Sequence, residues 1–501
     1  MRQNKNRSLK LNIVASMMIQ VVSLVINLIS KRAIRYYLSV EYLGIQSIYS
    51  NFCDVLNFAF FGIGTAMLFS FYGALSSNDE EKIASLYHYY DSLYRKVSWL
   101  ILGGGVACIL PVLYAVNADI SMLEICVTYL TYMLSIVLYN RRLVRNYFIQ
   151  ADQRRYFVAW VTGGVDGTAL VVEILLLKYF HSYELFVISI LLKNLVINLI
   201  FKWELRRTYP YLSESTEELG DNEKHEIKSN VTDMIIYKFG NVLINNTDSI
   251  FISRFTSTVM VGIYSNYQFI LFGIRSLIGA LFEAIRSRVG HKAQTSGLEV
   301  QYKGFQEHLL VNSWLVGVTI VCFYFLIEDF IRLWMGDVDM LSGEILLILI
   351  VNFYLEESHN AIKTYRETAG LFRNIRKMIL AKGILNIILS FIIGKCWGLK
   401  GILVATTIAS AVTLFWYEPK VVFQYFNKSI QNELLYHIFT VTLLALSFVI
   451  TGRVLQNLQG TGGLFFMVKA LVCLLASNCV YLIPAGAYMM GKKLKKGSND
   501  F

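Results

Sequence analysis

The feature that most constrains this chain is a series of apolar stretches, each roughly 20 residues long, the length of helix that crosses a hydrocarbon core of about 30 Å. A transmembrane β-barrel would instead show segments of about ten residues with alternating polarity. Residues 101–116 and 341–353 are nearly continuous apolar runs, which favours helices. We count fourteen such stretches, beginning near residues 11, 45, 97, 121, 157, 184, 231, 259, 309, 341, 378, 399, 435 and 463.

The composition also indicates a membrane protein. Hydrophobic residues make up 55% of the 501-residue chain and charged residues 16%, whereas soluble proteins carry about 25% charged residues. The predicted outer loops are too short to fold as a domain, so we expect no enzyme. The seven cysteines lie in or beside apolar runs and form no CxxC pair, so we expect neither a metal site nor a cofactor.

Lysine and arginine are distributed unevenly between alternate loops. With the N-terminus placed in the cytoplasm, the inside segments carry 32 of these residues and the outside segments carry 9. The positive-inside rule describes this asymmetry, so we predict two cytoplasmic termini, and the net charge of +11 does not indicate a nucleic-acid partner. The remaining five cations fall within the apolar stretches: Lys193, Lys238, Arg275, Lys382 and Lys469.

An internal repeat relates two parts of the chain. A shift of 218 positions gives eight identities in 24 positions without a gap, including Asn27 with Asn245 and Gly44 with Gly262. The shift preserves the direction of each helix, so we predict two six-helix lobes related by an axis along the membrane normal, with a cavity between them. The predicted parts are an N-terminal lobe, an acidic cytoplasmic linker, a C-terminal lobe, and a helix pair with a basic tail: 1–207, 208–229, 230–420 and 421–501.

Polar residues recur at spacings of three and four along the first stretch, which places them on one face of a helix. The repeat shift carries this stripe onto a second one in the seventh stretch, and it carries Asn57 onto Arg275. Such side chains either hydrogen-bond neighbouring helices or line the cavity. The predicted polar lining consists of Gln20, Ser23, Asn27, Asp54, Asn57, Asn241, Asn245 and Asp248.

Charged residues within these stripes give the strongest indication of a cavity. A charge at the middle of a membrane costs on the order of 3 kcal/mol and usually faces a wet interior. Further arginines stand at the predicted outer ends of the first and seventh stretches, either to receive a phosphate or as ordinary surface cations. The predicted cationic group consists of Arg32, Arg35, Lys238, Arg254 and Arg275.

Short motifs in the first twelve stretches resemble those of polysaccharide transporters in the multidrug/oligosaccharidyl-lipid/polysaccharide (MOP) exporter superfamily. No single motif is a catalytic signature, and the resemblance rests on their order together with a pattern of six, six and two helices. The motifs are YLGIQSIY at 42–49, QADQRRY at 150–156, YPYL at 209–212, VGIYSNY at 261–267 and WGLKGILVAT at 397–406.

The resemblance implies a V-shaped, two-lobed flippase in the bacterial cytoplasmic membrane. Its cationic cavity would carry an undecaprenyl-diphosphate-linked oligosaccharide to the outer leaflet, by alternating between inward-open and outward-open states, for surface polysaccharide biosynthesis. A polysaccharide polymerase, glycosyltransferases and membrane lipids would be its partners. The first stretch has fewer acidic residues than in some relatives, which leaves a proton or sodium coupling site open.

Two other functions remain open from the sequence. A drug or small-cation exporter of the same superfamily would prefer an acidic cavity, whereas the acids within the stretches are nearly balanced by cations. A membrane polymerase or glycosyltransferase would need reactive groups in an outer loop. The cluster that fits this requirement is Glu328, Asp329, Arg332, Asp337 and Asp339.

Overall fold

The computed structural model describes the chain apart from residues 1, 58–59, 78, 153, 214–218, 222, 226, 228–246, 430, 459, 461 and 498–501. The regular secondary structure of the described residues is helical, and the chain divides into two compact units, Met1–Gly262 and Ile263–Phe501. The predicted all-α fold class is therefore confirmed.

The first unit consists of helices joined by short, capped connections. The Ser121 hydroxyl oxygen accepts a hydrogen bond from the Glu124 amide at 3.2 Å, and this satisfies a donor that the first helical turn leaves unpaired. The helices are α1 (Arg2–Tyr37), α2 (Val40–Asn57), α3 (Phe60–Ser77), α4 (Glu80–Ala107), α5 (Ile109–Ala115), α6 (Met122–Ala151), α7 (Arg155–Phe180), α8 (Tyr183–Thr208) and α9 (Asp248–Phe255), with a 3-10 turn at Pro210–Ser213.

The second unit contains an aromatic cluster in its interior. The ring centroid of Phe305 lies 5.0 Å from that of Tyr365 and 5.4 Å from that of Phe426, within the range for favourable ring contacts. The helices are α10 (Thr258–Thr295), which begins just before the second unit, α11 (Leu298–Met335), α12 (Gly343–Glu357), α13 (Asn360–Thr368), α14 (Phe372–Val412), α15 (Leu414–Tyr425), α16 (Gln431–Gln456) and α17 (Gly463–Gly497).

The predicted apolar stretches coincide with these helices. Each of the fourteen falls on a helix except the seventh, of which residues 231–246 lie outside the described part of the chain. Within the described part, eight helices are long and apolar enough to cross a membrane, or nine when α4 and α5, which meet at 49°, form one span. Exposed leucines such as Leu100 and Leu110 cover outer faces of these helices, as expected where helices meet lipid. The chain is a multi-pass membrane protein.

A helix break separates α12 from α13 at Ser358 and His359. The side-chain amide of Asn312, on α11, donates to the carbonyl oxygens of Glu357 at 3.0 Å and Ser358 at 2.7 Å. Carbonyls released at a break inside a membrane need a partner from the protein, because lipid offers none. Asn312 supplies that partner and stabilises the break.

Helix α14 is interrupted at Gly398, whose φ of 56° and ψ of −136° are not helical. A positive φ of this kind favours glycine, which has no side chain to clash. Nearby, a Cβ atom on Gly401 would lie 2.3 Å from the Ile393 carbonyl oxygen. The two glycines explain why the sequence shows separate apolar stretches near 378 and 399 where the structure has one interrupted helix.

The starts of α2 and α10 cross at two glycines that the internal repeat relates. A Cβ atom on Gly44 would lie 2.0 Å from the Thr258 carbonyl oxygen, and one on Gly262 would lie 2.1 Å from the Val40 carbonyl oxygen. The 218-residue shift carries Val40 to Thr258 and Gly44 to Gly262. The two contacts are therefore reciprocal, as in a two-fold symmetric interface. All four residues belong to the first unit, and we call their contact the glycine crossing.

Candidate functional site

The polar stripe predicted in the first stretch lies on α1. The side-chain amide of Asn27 donates to the Ser23 carbonyl oxygen at 2.8 Å, so part of its hydrogen-bonding capacity is used within its own helix. Asn27 and Gln20 are exposed, whereas Ser23 is half-buried. Of the two predicted arginines on this helix, Arg32 is exposed and Arg35 is half-buried.

The predicted residues of the second stretch lie near the end of α2. The side-chain amide of Asn140, on α6, donates to Asn57 Oδ1 at 2.8 Å, and Asn140 is buried. Asp54 is half-buried one turn before Asn57. Asn57 thus joins two neighbouring helices through a neutral amide pair, which is one of the two roles that the sequence left open.

Part of the predicted set on the seventh stretch lies within the described residues. Asp248 is half-buried in the first turn of α9, where the helix dipole favours a carboxylate. Arg254 is exposed in the last turn of α9, and its guanidinium carbon stands 4.5 Å from the ring centroid of Tyr114. The other predicted residues of this stretch lie outside the described part of the chain: Lys238, Asn241 and Asn245.

The first unit contains a group of ion-paired residues that was not predicted from the sequence. Lys193 Nζ, on α8, stands 3.6 Å from Asp166 Oδ1 and 3.8 Å from Glu173 Oε1, both on α7. The Ser30 hydroxyl, on α1, donates to Glu173 Oε2 at 3.4 Å. Asp166 and Glu173 are seven residues apart and so share one helix face, a spacing that could have revealed the group. We call these four residues the α7–α8 charge group.

Arg275, which the 218-residue shift relates to Asn57, lies on α10 in the second unit. Its Nη2 lies 3.2 Å from Glu356 Oε2 and its Nε lies 3.4 Å from Glu357 Oε1. The side-chain amide of Asn360 donates to the other Glu357 oxygen at 2.8 Å. The two carboxylates stand at the end of α12, directly before the helix break, so the break positions both against the arginine on α10.

A second set of ion pairs continues from the break along α13. Arg366 contacts Glu418, on α15, and the ring of His359 lies against the same carboxylate, with Nδ1 and Oε2 3.2 Å apart. Glu418 and His359 are both buried. Arg286 of α10 reaches Glu367 at 2.9 Å. None of these residues could be assigned a role from the sequence, because each pair joins helices that are distant in sequence.

Two of the residues considered for catalysis, Asp329 and Arg332, lie within helix α11 rather than in an outer loop. Lys469 Nζ, on α17, lies 2.6 Å from Asp329 Oδ2, so this carboxylate is engaged in an ion pair between helices. Arg332 is exposed in the last turn of α11. Lys469, a cation within an apolar stretch, therefore has a structural partner.

These ion pairs can exchange partners with a ligand. An arginine presents two parallel N–H donors that match either a carboxylate or a phosphate. A phosphate could therefore replace the carboxylates on Arg275, and a cation could replace Lys193 beside Asp166 and Glu173. Among the residues that the structure describes, no group of three or more His, Cys, Asp or Glu side chains is placed to hold a metal ion.

Comparison with known proteins gives structural matches. No family model matches the sequence, and no curated protein matches it. The lipid II flippase MurJ, in an inward closed conformation, is similar over 96% of this chain and 99% of its own, with a TM-score of 0.65 and 13% sequence identity. An inward-facing multidrug resistance transporter of the MATE family matches 84% of this chain and 98% of its own, with a TM-score of 0.61 and 13% identity. A MOP superfamily transporter from Pyrococcus furiosus matches 84% and 96%, with a TM-score of 0.57 and 12% identity.

The matched proteins are a flippase and transporters, and each is covered almost completely by this chain. At identities of 12–13%, the likeness concerns the arrangement of helices rather than individual residues. The matches therefore show the fold alone, and membership of the superfamily and of its polysaccharide transporter subfamily stays a prediction. The chain has the fold of the MOP exporter superfamily.

Proposed function

We propose that this chain is a flippase that moves an undecaprenyl-diphosphate-linked oligosaccharide from the cytoplasmic to the outer leaflet of the bacterial cytoplasmic membrane. The observation that carries the proposal is Arg275, a forked cation among membrane-length helices that is held by two carboxylates. A diphosphate crosses an apolar core only when fixed donors replace its hydration. Arg275 is such a donor. Glycosyltransferases would supply the substrate, and a polymerase would consume it.

The extent of the flippase match supports this choice over other transporters of the same fold. The part of the chain that the MurJ match leaves uncovered, 4%, is shorter than either of the last two helices, α16 and α17. Both helices therefore have counterparts in a protein named as a lipid II flippase. The additional helix pair favours a lipid-linked substrate here as well.

In the proposed cycle, Arg275 exchanges acidic partners for the substrate. Glu356 and Glu357 hold the empty guanidinium in place, which avoids the cost of an unpaired charge inside the protein. An arriving diphosphate takes the place of the two carboxylates on Arg275. The displaced carboxylates then repel the phosphates, and the return of Glu356 and Glu357 to Arg275 favours release of the substrate. Lys238 and the arginines at positions 32, 35 and 254 add positive charge along the path, while the prenyl tail stays in lipid.

The test is surface polysaccharide in a flippase-null strain complemented with variants of this chain. With export compared at equal protein level, we expect Arg275→Ala and Lys238→Ala each to abolish most of it, with graded losses for Arg32→Ala, Arg35→Ala and Arg254→Ala. Arg275→Lys should fall between, because it keeps the charge and loses the fork. Lys178→Ala, at an exposed cation near the end of α7, is the matched control. Wild-type export by both Arg275→Ala and Lys238→Ala would refute the proposal.

A drug or small-cation exporter is the second candidate, and the α7–α8 charge group favours it. Two carboxylates there share one ammonium, so Asp166 and Glu173 offer an acidic site once Lys193 moves away. Efflux of a fluorescent cation from cells separates the two functions. Efflux that is lost in Asp166→Asn and Glu173→Gln, together with no rescue of polysaccharide export, would establish the exporter.

A further inference from the structure

A basic pocket lies in the first unit, where α4, α6 and α8 come together beside the 3-10 turn. It is separate from the α7–α8 charge group and from the residues assigned to transport. The cavity has a volume of about 190 Å³, and the side chains that matter for its chemistry are Tyr87, His88, Asp91, Arg145, Lys202 and Arg206.

The wall of the pocket carries one cation held by hydrogen bonds and one acid that is paired through one of its two oxygens. Arg145 is half-buried on α6, and its Nη1 donates to Asn198 Oδ1 and to the Arg141 carbonyl oxygen at 3.3 Å, which holds the guanidinium in position. Asp91 Oδ2 is paired with Arg95 Nη2 at 3.2 Å. The pocket therefore keeps a positive wall although a carboxylate contributes to it.

The rim of the pocket adds two exposed cations. Lys202 and Arg206 are four residues apart on α8 and so stand on one face of the helix. Both are exposed and both line the cavity. Three cations thus converge on a space of this size with one paired acid among them, which is the composition of an anion site.

A tryptophan close to the pocket on α8 indicates the level at which the pocket lies in the membrane. Trp203, between the two rim cations, has 59% of its surface exposed, and the guanidinium carbon of Arg207 lies 5.4 Å from its ring centroid. Exposed tryptophan beside lysine and arginine is typical of the level of lipid headgroups. By the predicted orientation, this end of α8 faces the cytoplasm.

We propose that this pocket binds the phosphate headgroup of an anionic membrane lipid on the cytoplasmic side. Arg145 forms the fixed wall that receives the phosphate, and Lys202 and Arg206 close over it from the rim. Basic pockets between helices on the cytoplasmic side suit such headgroups. The proposal stands independently of which substrate the protein transports.

The test uses the full chain, purified and delipidated, and measures its melting temperature against added lipid. We expect dioleoyl phosphatidylglycerol to raise the melting temperature at concentrations where dioleoyl phosphatidylcholine does not. In Lys202→Gln/Arg206→Gln, the concentration of phosphatidylglycerol needed for half the effect should rise about tenfold. The matched control is Arg155→Gln/Arg207→Gln, which removes two exposed cations of the neighbouring surface that do not line the cavity and should respond like the wild type.

Soluble glycerol phosphate distinguishes a lipid from a free phosphate as the source of the anion. No stabilisation by glycerol phosphate at the same concentrations supports a lipid site. Stabilisation by it that disappears in Lys202→Gln/Arg206→Gln overturns the lipid assignment and leaves a site for a soluble phosphate ester. An equal response of wild type, double variant and control to phosphatidylglycerol overturns the site altogether.

Discussion

Asn57 in the first unit and Arg275 in the second are related by the 218-residue shift, yet they stand in different electrostatic surroundings. Asn57 pairs with Asn140 through neutral amides, whereas Arg275 pairs with two carboxylates. The same shift carries position 140 to 358, directly after Glu357. Equivalent helix positions in the two repeats therefore hold a neutral contact in one and an ionic contact in the other.

The difference shows that two repeats with the same helix arrangement can carry contacts of different charge at related positions. A neutral amide pair fixes two helices at modest cost and offers little to a charged ligand. An ion pair at the equivalent position costs more to desolvate, and a charged side chain inside a membrane marks a candidate functional site. Of the two related positions, the one in the second unit therefore carries the charged contact.

The largest effect is expected from removing the cation of the ionic contact. Arg275→Met leaves Glu356 and Glu357 without their shared partner, and we expect a loss of about 3 kcal/mol in the free energy of unfolding, because the buried Glu357 carboxylate then keeps only the neutral Asn360 amide beside it. Thermal denaturation of the purified protein measures it. Arg275→Lys is the control and should lose less. An unchanged melting temperature in Arg275→Met would show that the carboxylates are already solvated, and the contrast with Asn57 would disappear.

An intermediate effect is expected at the glycine crossing, where the two repeats have the same residue, glycine, and make the same contact. Gly44→Ala and Gly262→Ala each bring a methyl group against a carbonyl oxygen, and overpacking of this kind costs about 2 kcal/mol. Because the contacts are reciprocal, the two variants should lower the melting temperature equally. Gly103→Ala, on α4 with open space around it, should cause no loss. A large difference between Gly44→Ala and Gly262→Ala would contradict the symmetry.

The smallest effect is expected at the neutral contact. Asn57→Leu leaves the Asn140 amide without its partner, at a cost of about 1 kcal/mol. The double variant Asn57→Leu/Asn140→Leu should recover most of that loss, because an apolar pair replaces both amides. The melting temperatures of the two single variants and the double variant give the coupling energy. A double variant as unstable as the sum of the singles would mean that the two amides act independently.

Most of the fold could be predicted from the sequence because membrane spans are long and locally apolar. The fourteen stretches were predicted from local composition alone. The interruptions were harder to predict, since the break before α13 depends on Asn312 of another helix, and the turn at Gly398 depends on a single glycine within an apolar run.

The ion pairs of the site were harder to predict from the sequence than the helices. Arg275 could be singled out because it is a charge in an apolar stretch, but its partners Glu356 and Glu357 lie on a helix far away in sequence. Lys193 is also a charge in an apolar stretch, and its partners Asp166 and Glu173 lie on the preceding helix, where their seven-residue spacing indicates a shared face. A single sequence shows which residues are charged, but it does not show which of them lie close together in the folded protein.

The glycine crossing has a consequence for the origin of the molecule. A reciprocal contact between equivalent positions is what two copies of one polypeptide would make around a two-fold axis. A protein of half this length, pairing with itself, would bring its own counterpart of Gly44 against its own counterpart of Val40 in both directions at once. Gene duplication followed by fusion would then inherit a ready-made junction, and later divergence could alter the charges elsewhere without disturbing it.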